Sequence, residues 1–159
     1  VICGNTRPKI EGVVGTSLNW KGLSLSLNFR YQLGADVFNE ALFNKVENIS
    51  TEGLNKNQDK RALYERWQKA GDIVRFKNIA NAASTPMSSR FVQEENVLTL
   101  ESVYLGYEFY DGWIQKLGLS NLKLQVSMRD VFRASSIKSE RGISYPFARS
   151  LEAGLSFNF

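Results

Sequence analysis

The sequence has 159 residues, of which 43% are hydrophobic and 23% are charged, and its formal net charge is +4. This composition excludes a disordered chain and is typical of one domain with a sizeable core. A single cysteine and no histidine exclude an intrachain disulfide framework, a Ser-His-Asp triad and most zinc sites. Because the basic residues form no dense run, we expect no nucleic-acid partner. We also expect no cofactor and no metal.

The sequence contains neither a candidate membrane-spanning helix nor a cleavable leader. No stretch approaches the roughly 18 consecutive apolar residues that a spanning helix needs. Residues 1–10 lack the apolar run of a signal peptide. Since the sequence also begins without Met, we expect it to be part of a longer chain.

The first regular element is a hairpin in which apolar and polar residues alternate, which is the period of a strand. Lys21 and Gly22 separate two alternating runs, 11–20 and 23–33, and predict a two-residue turn between them. Such a turn pairs its flanking residues directly, so the apolar side chains of both strands share one face. The predicted pairs are Trp20 with Leu23, Leu18 with Leu25, and Val14 with Phe29.

An insert at 34–90 follows, in which the alternation is lost. Connections of this length are usually functional or disordered, so the insert is the first candidate for contact with a substrate or a partner protein. Within it we predict a helix at about 58–70, capped by Asp59 and ended by Gly71. Trp67 is interpreted first as a core residue of this helix and second as a platform on which a sugar stacks, in contact with the substrate or the partner protein.

Three further strands are predicted at 96–110, 122–132 and 149–159. The apolar phase slips by one residue within the first of them, which predicts a β-bulge near Glu101-Ser102. The connection at 111–121 is short enough for one helical turn, and a polar loop is predicted at 133–147.

The strand pattern fits two environments, a soluble sheet with a hidden apolar face or an outer-membrane barrel with that face in lipid. The pattern alone favours the soluble sheet, because soluble sheets are commoner. Three features favour the barrel: strands of about ten residues, connections that alternate between short and long, and aromatic residues at strand ends. The predicted interfacial aromatics are Trp20, Phe109, Tyr110 and Trp113.

The predicted five strands cannot close a membrane barrel, which needs about eight or more. The chain is therefore either part of a larger barrel or a soluble protein with a similar pattern. In a barrel, the polar face would line the lumen, where it contacts water, a plug or a substrate; the candidate contacts there are Asn28, Arg30 and Arg129. The carboxylates of Glu94 and Glu95 point to opposite faces of a strand, so we expect no enzyme.

An ordered set of short stretches runs through the sequence: WKGLSLSL at 20–27, QLGADVFN at 32–39, VYLGY at 103–107, KLGLSNL at 116–122, and RDVF at 129–132. In order and spacing this set resembles the C-terminal end of the SusC/RagA family of TonB-dependent outer-membrane transporters of Bacteroidetes. The VLTLE stretch at 97–101 departs from the family pattern. The resemblance covers essentially the whole sequence and rests on the set rather than on one motif.

The resemblance implies an all-β fold in which the chain forms the last five antiparallel strands of a barrel of about 22 strands. It implies import of a glycan or peptide nutrient across the outer membrane of a Gram-negative bacterium, with the barrel in the lipid bilayer. The implied partners are a SusD-like surface lipoprotein and the TonB complex, which acts through an N-terminal plug that this sequence does not contain.

The alternating final strand, with Leu151, Leu155, Phe157 and Phe159 on one face, resembles the signal that the barrel-assembly machinery reads. The alternative function is a binding or structural β-protein without transport, either an adhesin-like barrel or a soluble sandwich.

Overall fold

A computed structural model describes residues 2–110, 112–138 and 149–159. Its main feature is one five-stranded sheet in the order β1-β2-β3-β4-β5, so each strand lies beside the next strand in the chain. The predicted all-β fold with five antiparallel strands is confirmed. The strands are β1 (Ile10–Trp20), β2 (Leu23–Phe38), β3 (Val92–Phe109), β4 (Asn121–Ser135) and β5 (Ser150–Asn158).

Three strands extend by more than a single residue beyond the bounds that the sequence pattern indicates, and one of them, β4, covers Asn121–Ser135 instead of 122–132. β2 continues to Phe38 instead of ending at 33, and β3 begins at Val92 instead of 96. The alternation fails in the added part of β2 because Gly34 and Ala35 are both buried, and a strand that is buried on both faces does not alternate. The insert between β2 and β3 is correspondingly shorter than the predicted 34–90.

The hairpin of β1 and β2 has the predicted register. Trp20 pairs with Leu23, Leu18 with Leu25 and Val14 with Phe29. Lys21 and Gly22 both have positive φ, 44° and 85°, which is the geometry of a type I′ turn. A Cβ on Gly22 would collide with the backbone oxygen of Glu108, so glycine is required there by space as well as by φ.

The bulge also lies where the sequence predicts it, although the extra residue is on the neighbouring strand. The register between β3 and β4 shifts between Leu100 and Ser102, whose partners are Phe132 and Arg129. Two residues of β4, at 130 and 131, therefore lie opposite Glu101. Asp130 has a φ of 51°, in the left-handed region that a bulge of this kind uses.

In the part of the chain that the structure describes, the connections contain only short helices: α1 (Glu40–Leu42), which continues as a π-helical turn at Phe43–Glu47, then α2 (Lys60–Tyr64) and α3 (Gly112–Lys116). Single 3₁₀ turns lie at Thr51–Asn55 and Ser89–Phe91. Within the described ranges, no helix is both long enough and apolar enough to cross a bilayer. The loop predicted at 133–147 begins later than expected because β4 runs to Ser135, and its part at 139–148 lies outside the described residues.

The predicted helix at 58–70 is wrong in length. Asp59 caps α2 as expected, with its Oδ1 accepting from the backbone N–H of Arg61 at 2.9 Å, but the helix ends at Tyr64. The backbone then pairs elsewhere: Phe76 donates to Glu65 O at 3.3 Å, and Trp67 donates to Phe76 O at 3.1 Å. These bonds replace the ones that would have continued the helix.

The described residues divide into two compact units. The sheet unit consists of Pro8–Gly34, Asn96–Ser136 and the described part of 141–159. The insert unit consists of Ala35–Glu95 with the described parts of 1–7 and 137–140.

Candidate functional site

The apolar face of the sheet is exposed. Leu151 and Leu155 on β5 are 69% and 61% exposed, and Trp20 and Leu18 on β1 are 63% and 58% exposed. Cross-strand partners extend the same apolar stripe, because Leu155 pairs with Leu124 and Leu18 with Leu25. A continuous apolar surface of this kind marks contact with another protein or with a membrane.

The polar face brings three of the predicted contact residues together. Asn28 Nδ2 donates to Ser102 Oγ at 2.9 Å, and Ser102 lies opposite Arg129 in the β3–β4 ladder. Next to them Arg30 Nε donates to Glu101 Oε1 in an ion pair. Asn28, Arg30 and Arg129 thus form one polar patch near the bulge, with cations and hydrogen-bonding groups that a polar ligand or a plug could contact.

The predicted interfacial aromatics lie at one end of the sheet. The backbone N–H of Glu108 donates to Gly22 O at 2.8 Å, which places the end of β3 beside the first hairpin turn. Trp20 precedes that turn, with Lys21 Nζ 5.4 Å from its ring centroid. The other three follow or end β3, and the ring centroids of Phe109 and Trp113 are 5.8 Å apart; Tyr110 is largely exposed. That they form an interfacial girdle stays a prediction.

The residues of the predicted assembly signal lie along β5 and just beyond it. Phe157 pairs with Leu122, and Leu151 with Met128, so both belong to the apolar stripe. The last strand ends at Asn158, one residue earlier than predicted, and the Phe159 ring contacts the Phe157 ring edge-on at 5.6 Å. Their reading by the barrel-assembly machinery stays a prediction.

The insert unit has a hydrophobic core of its own. Its buried members are Leu42, Val46, Ala62, Phe76 and Phe91. Phe38 and Phe43 pack on Phe91 with ring centroids 5.9 and 5.1 Å away, respectively. The insert is therefore a folded element and not a disordered loop.

A buried carboxylate stabilises this insert from within. Glu47 is 2% exposed, and its Oε1 accepts from Arg90 Nη2 at 2.7 Å and from Thr85 Oγ1 at 2.8 Å. Burial acts to raise the pKa of Glu47, but the hydrogen bonds from Thr85, Arg90 and the backbone of Lys77 outweigh it and hold the pKa below its usual range. Glu47 is thus charged at neutral pH and joins the start of the insert to its end.

Arg66 is the buried cation of the same unit. It is 3% exposed, and its Nη1, Nε and Nη2 donate to the backbone oxygens of Val46, Lys77 and Asn78 at 2.7, 2.9 and 2.9 Å. Burial lowers the pKa of Arg66, and the charge of Glu47 opposes this. Because its donors are directed at backbone carbonyls, Arg66 joins its own segment to two others, the π-helical turn at Val46 and the segment of Lys77 and Asn78.

Next to Arg66 lies a half-open groove of about 340 Å³. Its apolar lining is formed by Ile49, Ala62, Leu63, Trp67 and Ile79, and its polar lining includes Gln58, Asp59 and Gln68. Trp67 is 39% exposed and lies outside both α2 and the hydrophobic core. Its interpretation as a helix core residue is therefore wrong, and it is a wall of the groove.

No family model matches the chain. A TonB-dependent receptor of Formosa agariphila is 24% identical over 135 residues, which is 82% of this chain and 13% of the receptor. Two solved structures of the RagAB peptide importer, in the "open-open" and "closed-closed" states, superpose with TM-scores of 0.73 and 0.70 at 18% and 19% identity. Each superposition covers 99% of this chain and 18% of the matched chain.

The chain shares the fold of this part of the transporter. The predicted resemblance to TonB-dependent transporters is confirmed in sequence and in fold. The relatives carry the names of a receptor and of a peptide importer, and neither name is that of an enzyme. The chain spans less than a fifth of the length of either kind of relative.

Sequence reasoning missed the network around Glu47 and Arg66. These residues lie in segments without periodicity, and their partners are far away in the sequence: Arg90 is 43 positions from Glu47. The length of the insert was the one signal that it carries structure. Nothing local distinguishes a buried glutamate from an exposed one when the burial comes from distant segments.

Proposed function

We propose that the chain is a barrel segment of an outer-membrane TonB-dependent transporter that imports a nutrient. The observation that carries this proposal is the sheet itself, with long antiparallel strands, an exposed apolar face and a hydrogen-bonded polar face. In an outer-membrane barrel, the apolar face meets lipid and the polar face meets a wet lumen. The similarity to the RagAB importer and to the Formosa receptor supports the same assignment.

The strand edges support a larger barrel. β1 and β5 are the outer strands of the described sheet, so each has one edge without a neighbour in the described residues. Each backbone N–H or C=O group that has no hydrogen-bond partner in lipid destabilises the protein by roughly several kcal/mol. We propose that further strands of the same protein pair with both edges and close the barrel.

The two kinds of connection are proposed to lie on opposite sides of the membrane. The turn at Lys21 and Gly22 and the connection with α3 are short, whereas the insert connects β2 and β3 at their other ends. Outer-membrane barrels have short turns on the periplasmic side and long loops outside. The insert is then extracellular, where it contacts a SusD-like lipoprotein or the substrate, while the TonB complex acts through a plug elsewhere in the protein.

The polar patch of Asn28, Arg30 and Arg129 is proposed to face the lumen. There it contacts the plug or a peptide or glycan in transit, through the groups that Ser102 and Glu101 hold in place. The name of the RagAB importer favours a peptide over a glycan as the substrate class.

Fractionation of the full-length protein tests this proposal. We expect it in the outer membrane, with a faster-migrating band on gels when the sample is not heated, as a closed barrel gives. Deletion of the protein should abolish growth on the imported nutrient. Recovery as a soluble monomer without detergent would refute the transporter and support the soluble sandwich.

The residues proposed as the assembly signal can be tested separately. Their exposed stripe on edge strand β5 is the supporting observation. Phe159→Ala should lower the amount of assembled protein several-fold without changing ligand affinity per assembled molecule. Tyr64→Ala, an exposed aromatic of the insert, is the matched control and should assemble normally. Equal assembly of the two variants contradicts the signal.

A further inference from the structure

The groove beside Trp67 has a chemical character that the transporter assignment does not require. Its walls are the side chains of Ile49, Leu63, Trp67 and Ile79, which are aliphatic or aromatic. Leu63, Trp67 and Ile79 are each more than a third exposed, so a ligand can reach their apolar surfaces. An apolar concavity of this size is typical of a ligand pocket.

The polar side chains at the groove use their hydrogen-bond donors within the protein. Gln68 Nε2 donates to Leu63 O at 2.6 Å, and Gln58 Nε2 donates to Lys56 O at 2.8 Å and to Gly53 O. Since the amide nitrogen of each side chain faces a carbonyl, its Oε1 is the end left to accept a hydrogen bond. Arg66 directs its donors at backbone carbonyls. The groove therefore offers hydrogen-bond acceptors around an apolar floor.

The backbone holds the central wall in place. Trp67 N donates to Phe76 O, and Phe76 is a buried core residue of the insert unit. Asp59 at the same groove is fixed by Arg61, whose Nη2 lies 2.6 Å from Asp59 Oδ2. A pre-formed pocket of this kind loses little conformational entropy when a ligand binds.

We propose that this groove binds one large aliphatic or aromatic side chain of a peptide, while N–H groups of the peptide backbone donate to Gln58 and Gln68. This deepens the proposed function and rests on it, because it names the substrate class and places a recognition point on the insert. The aliphatic walls favour an apolar side chain over a sugar ring, because Ile49, Leu63 and Ile79 cannot form hydrogen bonds with the hydroxyl groups that surround a sugar.

Calorimetry on the purified full-length protein in detergent tests the pocket with defined probes. The peptides are Gly-Ser-X-Ser-Gly with X as Leu, Phe or Ser, and maltohexaose is the glycan probe. We expect the Leu and Phe peptides to bind about tenfold or more tightly than the Ser peptide. N-methylation of the backbone at X and at the next residue should weaken the Leu peptide several-fold, because it removes the donors.

Trp67→Ala tests the position of the pocket and should remove most of the preference for Leu and Phe over Ser. Tyr64→Ala, next to the groove but not lining it, is the matched control and should keep the preference. The unheated gel band and the circular dichroism spectrum verify that each variant is folded. If Trp67→Ala does not fold, the probe peptides on the unchanged protein still decide the ligand class.

Three results would overturn the inference: equal affinity for the Leu and Ser peptides, a preference that survives Trp67→Ala, or loss of maltohexaose binding in that variant. A fourth result would overturn the inference in favour of a contact with a partner protein. In it, Trp67→Ala loses binding to a surface lipoprotein while its affinity for the peptides is unchanged. Binding and transport are separate measurements. Peptide binding by a protein that is absent from the outer membrane refutes the transporter alone, and correct location without peptide preference refutes the pocket alone.

Discussion

The sheet unit and the insert unit differ in the exposure of their apolar side chains, which are open on the sheet and buried in the core of the insert. On β5 Leu155 is 61% exposed, and its neighbours along the stripe are similarly open, whereas Val46 and Phe91 in the insert are 0% and 1% exposed. The insert surrounds its apolar residues with its own segments. The sheet leaves them for its surroundings to cover.

Under the proposed function, this difference corresponds to a different solvent for each unit. The insert follows the rule for proteins in water, with an apolar core and a buried carboxylate, Glu47, that accepts hydrogen bonds from Arg90 and Thr85. The sheet has a polar ladder on one face and an apolar stripe on the other, as expected where lipid covers one side. Substitutions should therefore have effects whose sign depends on the unit and on the face.

The largest effect is expected in the core of the insert. Phe91→Ala removes the ring that packs on Phe38 and Phe43, and it should destabilise the insert by about 3–5 kcal/mol. Hydrogen exchange should become fast across the insert while the strands of the sheet stay protected. Leu54→Ala, at a position 47% exposed, is the control and should change exchange little. Simultaneous loss of protection in both units would show that they do not unfold separately.

The next effect tests the solvent of the sheet. Leu155→Arg places a charge on the apolar stripe and should cost about 2–4 kcal/mol if that position lies near the middle of the bilayer. Ser156→Arg, one residue further, points to the opposite face and should cost almost nothing. Urea unfolding in phospholipid vesicles measures both. Equal stability of the two variants would mean that the stripe does not meet lipid.

A smaller effect is expected at Glu47, and it depends on pH. Glu47→Gln removes the charge that Arg90 and Thr85 bind and should cost about 1.5–3 kcal/mol at neutral pH. Because the folded state holds the pKa of Glu47 below its usual range, the stabilisation is complete above the ordinary carboxyl pKa and is lost as pH falls through the folded value.

The difference between the wild-type insert and Glu47→Gln should therefore vanish in strong acid. Thermal unfolding of the insert, followed by limited proteolysis between neutral and acidic pH, provides the measurement. Glu52→Gln, at an exposed position, serves as the control and should show no such dependence. A constant difference at all pH values would exclude the ionisation of Glu47 as its source.

The smallest effect is expected on the polar face. Arg30 and Glu101 are 48% and 33% exposed as side chains, and ion pairs at such positions contribute about 0–1 kcal/mol. Arg30→Gln should leave stability nearly unchanged, and added salt should reduce the small difference further. A double-mutant cycle with Glu101→Gln measures the pair. A coupling well above 1 kcal/mol would show that the pair is shielded from water, for example by a plug.

The parts of the fold that depend on local alternation could be predicted from the sequence. Trp20, Leu18 and Val14 fix the register of the first hairpin because a slip by one residue would turn each of them to the polar face. The phase change between Leu100 and Val103 located the bulge, although it could not reveal that β4 supplies the extra residue. In strands with one apolar face, the alternation of apolar and polar residues is enough to indicate the register of pairing.

The insert could not be predicted in the same way. Val46, Phe76 and Phe91 meet in one core although long stretches of chain separate them, and no local period records that meeting. The sequence pattern predicts that Trp67 continues the helix, but its backbone N–H pairs with Phe76 O instead. Of the predicted contact residues, the structure brings Asn28, Arg30 and Arg129 together through Ser102 and Glu101, which sequence alone did not connect.

The contact between Glu47 and Arg90 has a consequence for how easily a protease cuts the insert. The ion pair joins two residues that are 43 positions apart in the sequence, so the chain between them forms a closed loop. A protease that cuts only unfolded chain cleaves this loop only while the loop is open. The rate of cleavage therefore depends on the population of the open form. The Glu47–Arg90 contact therefore protects the insert against cleavage, and acid strong enough to neutralise Glu47 would remove that protection.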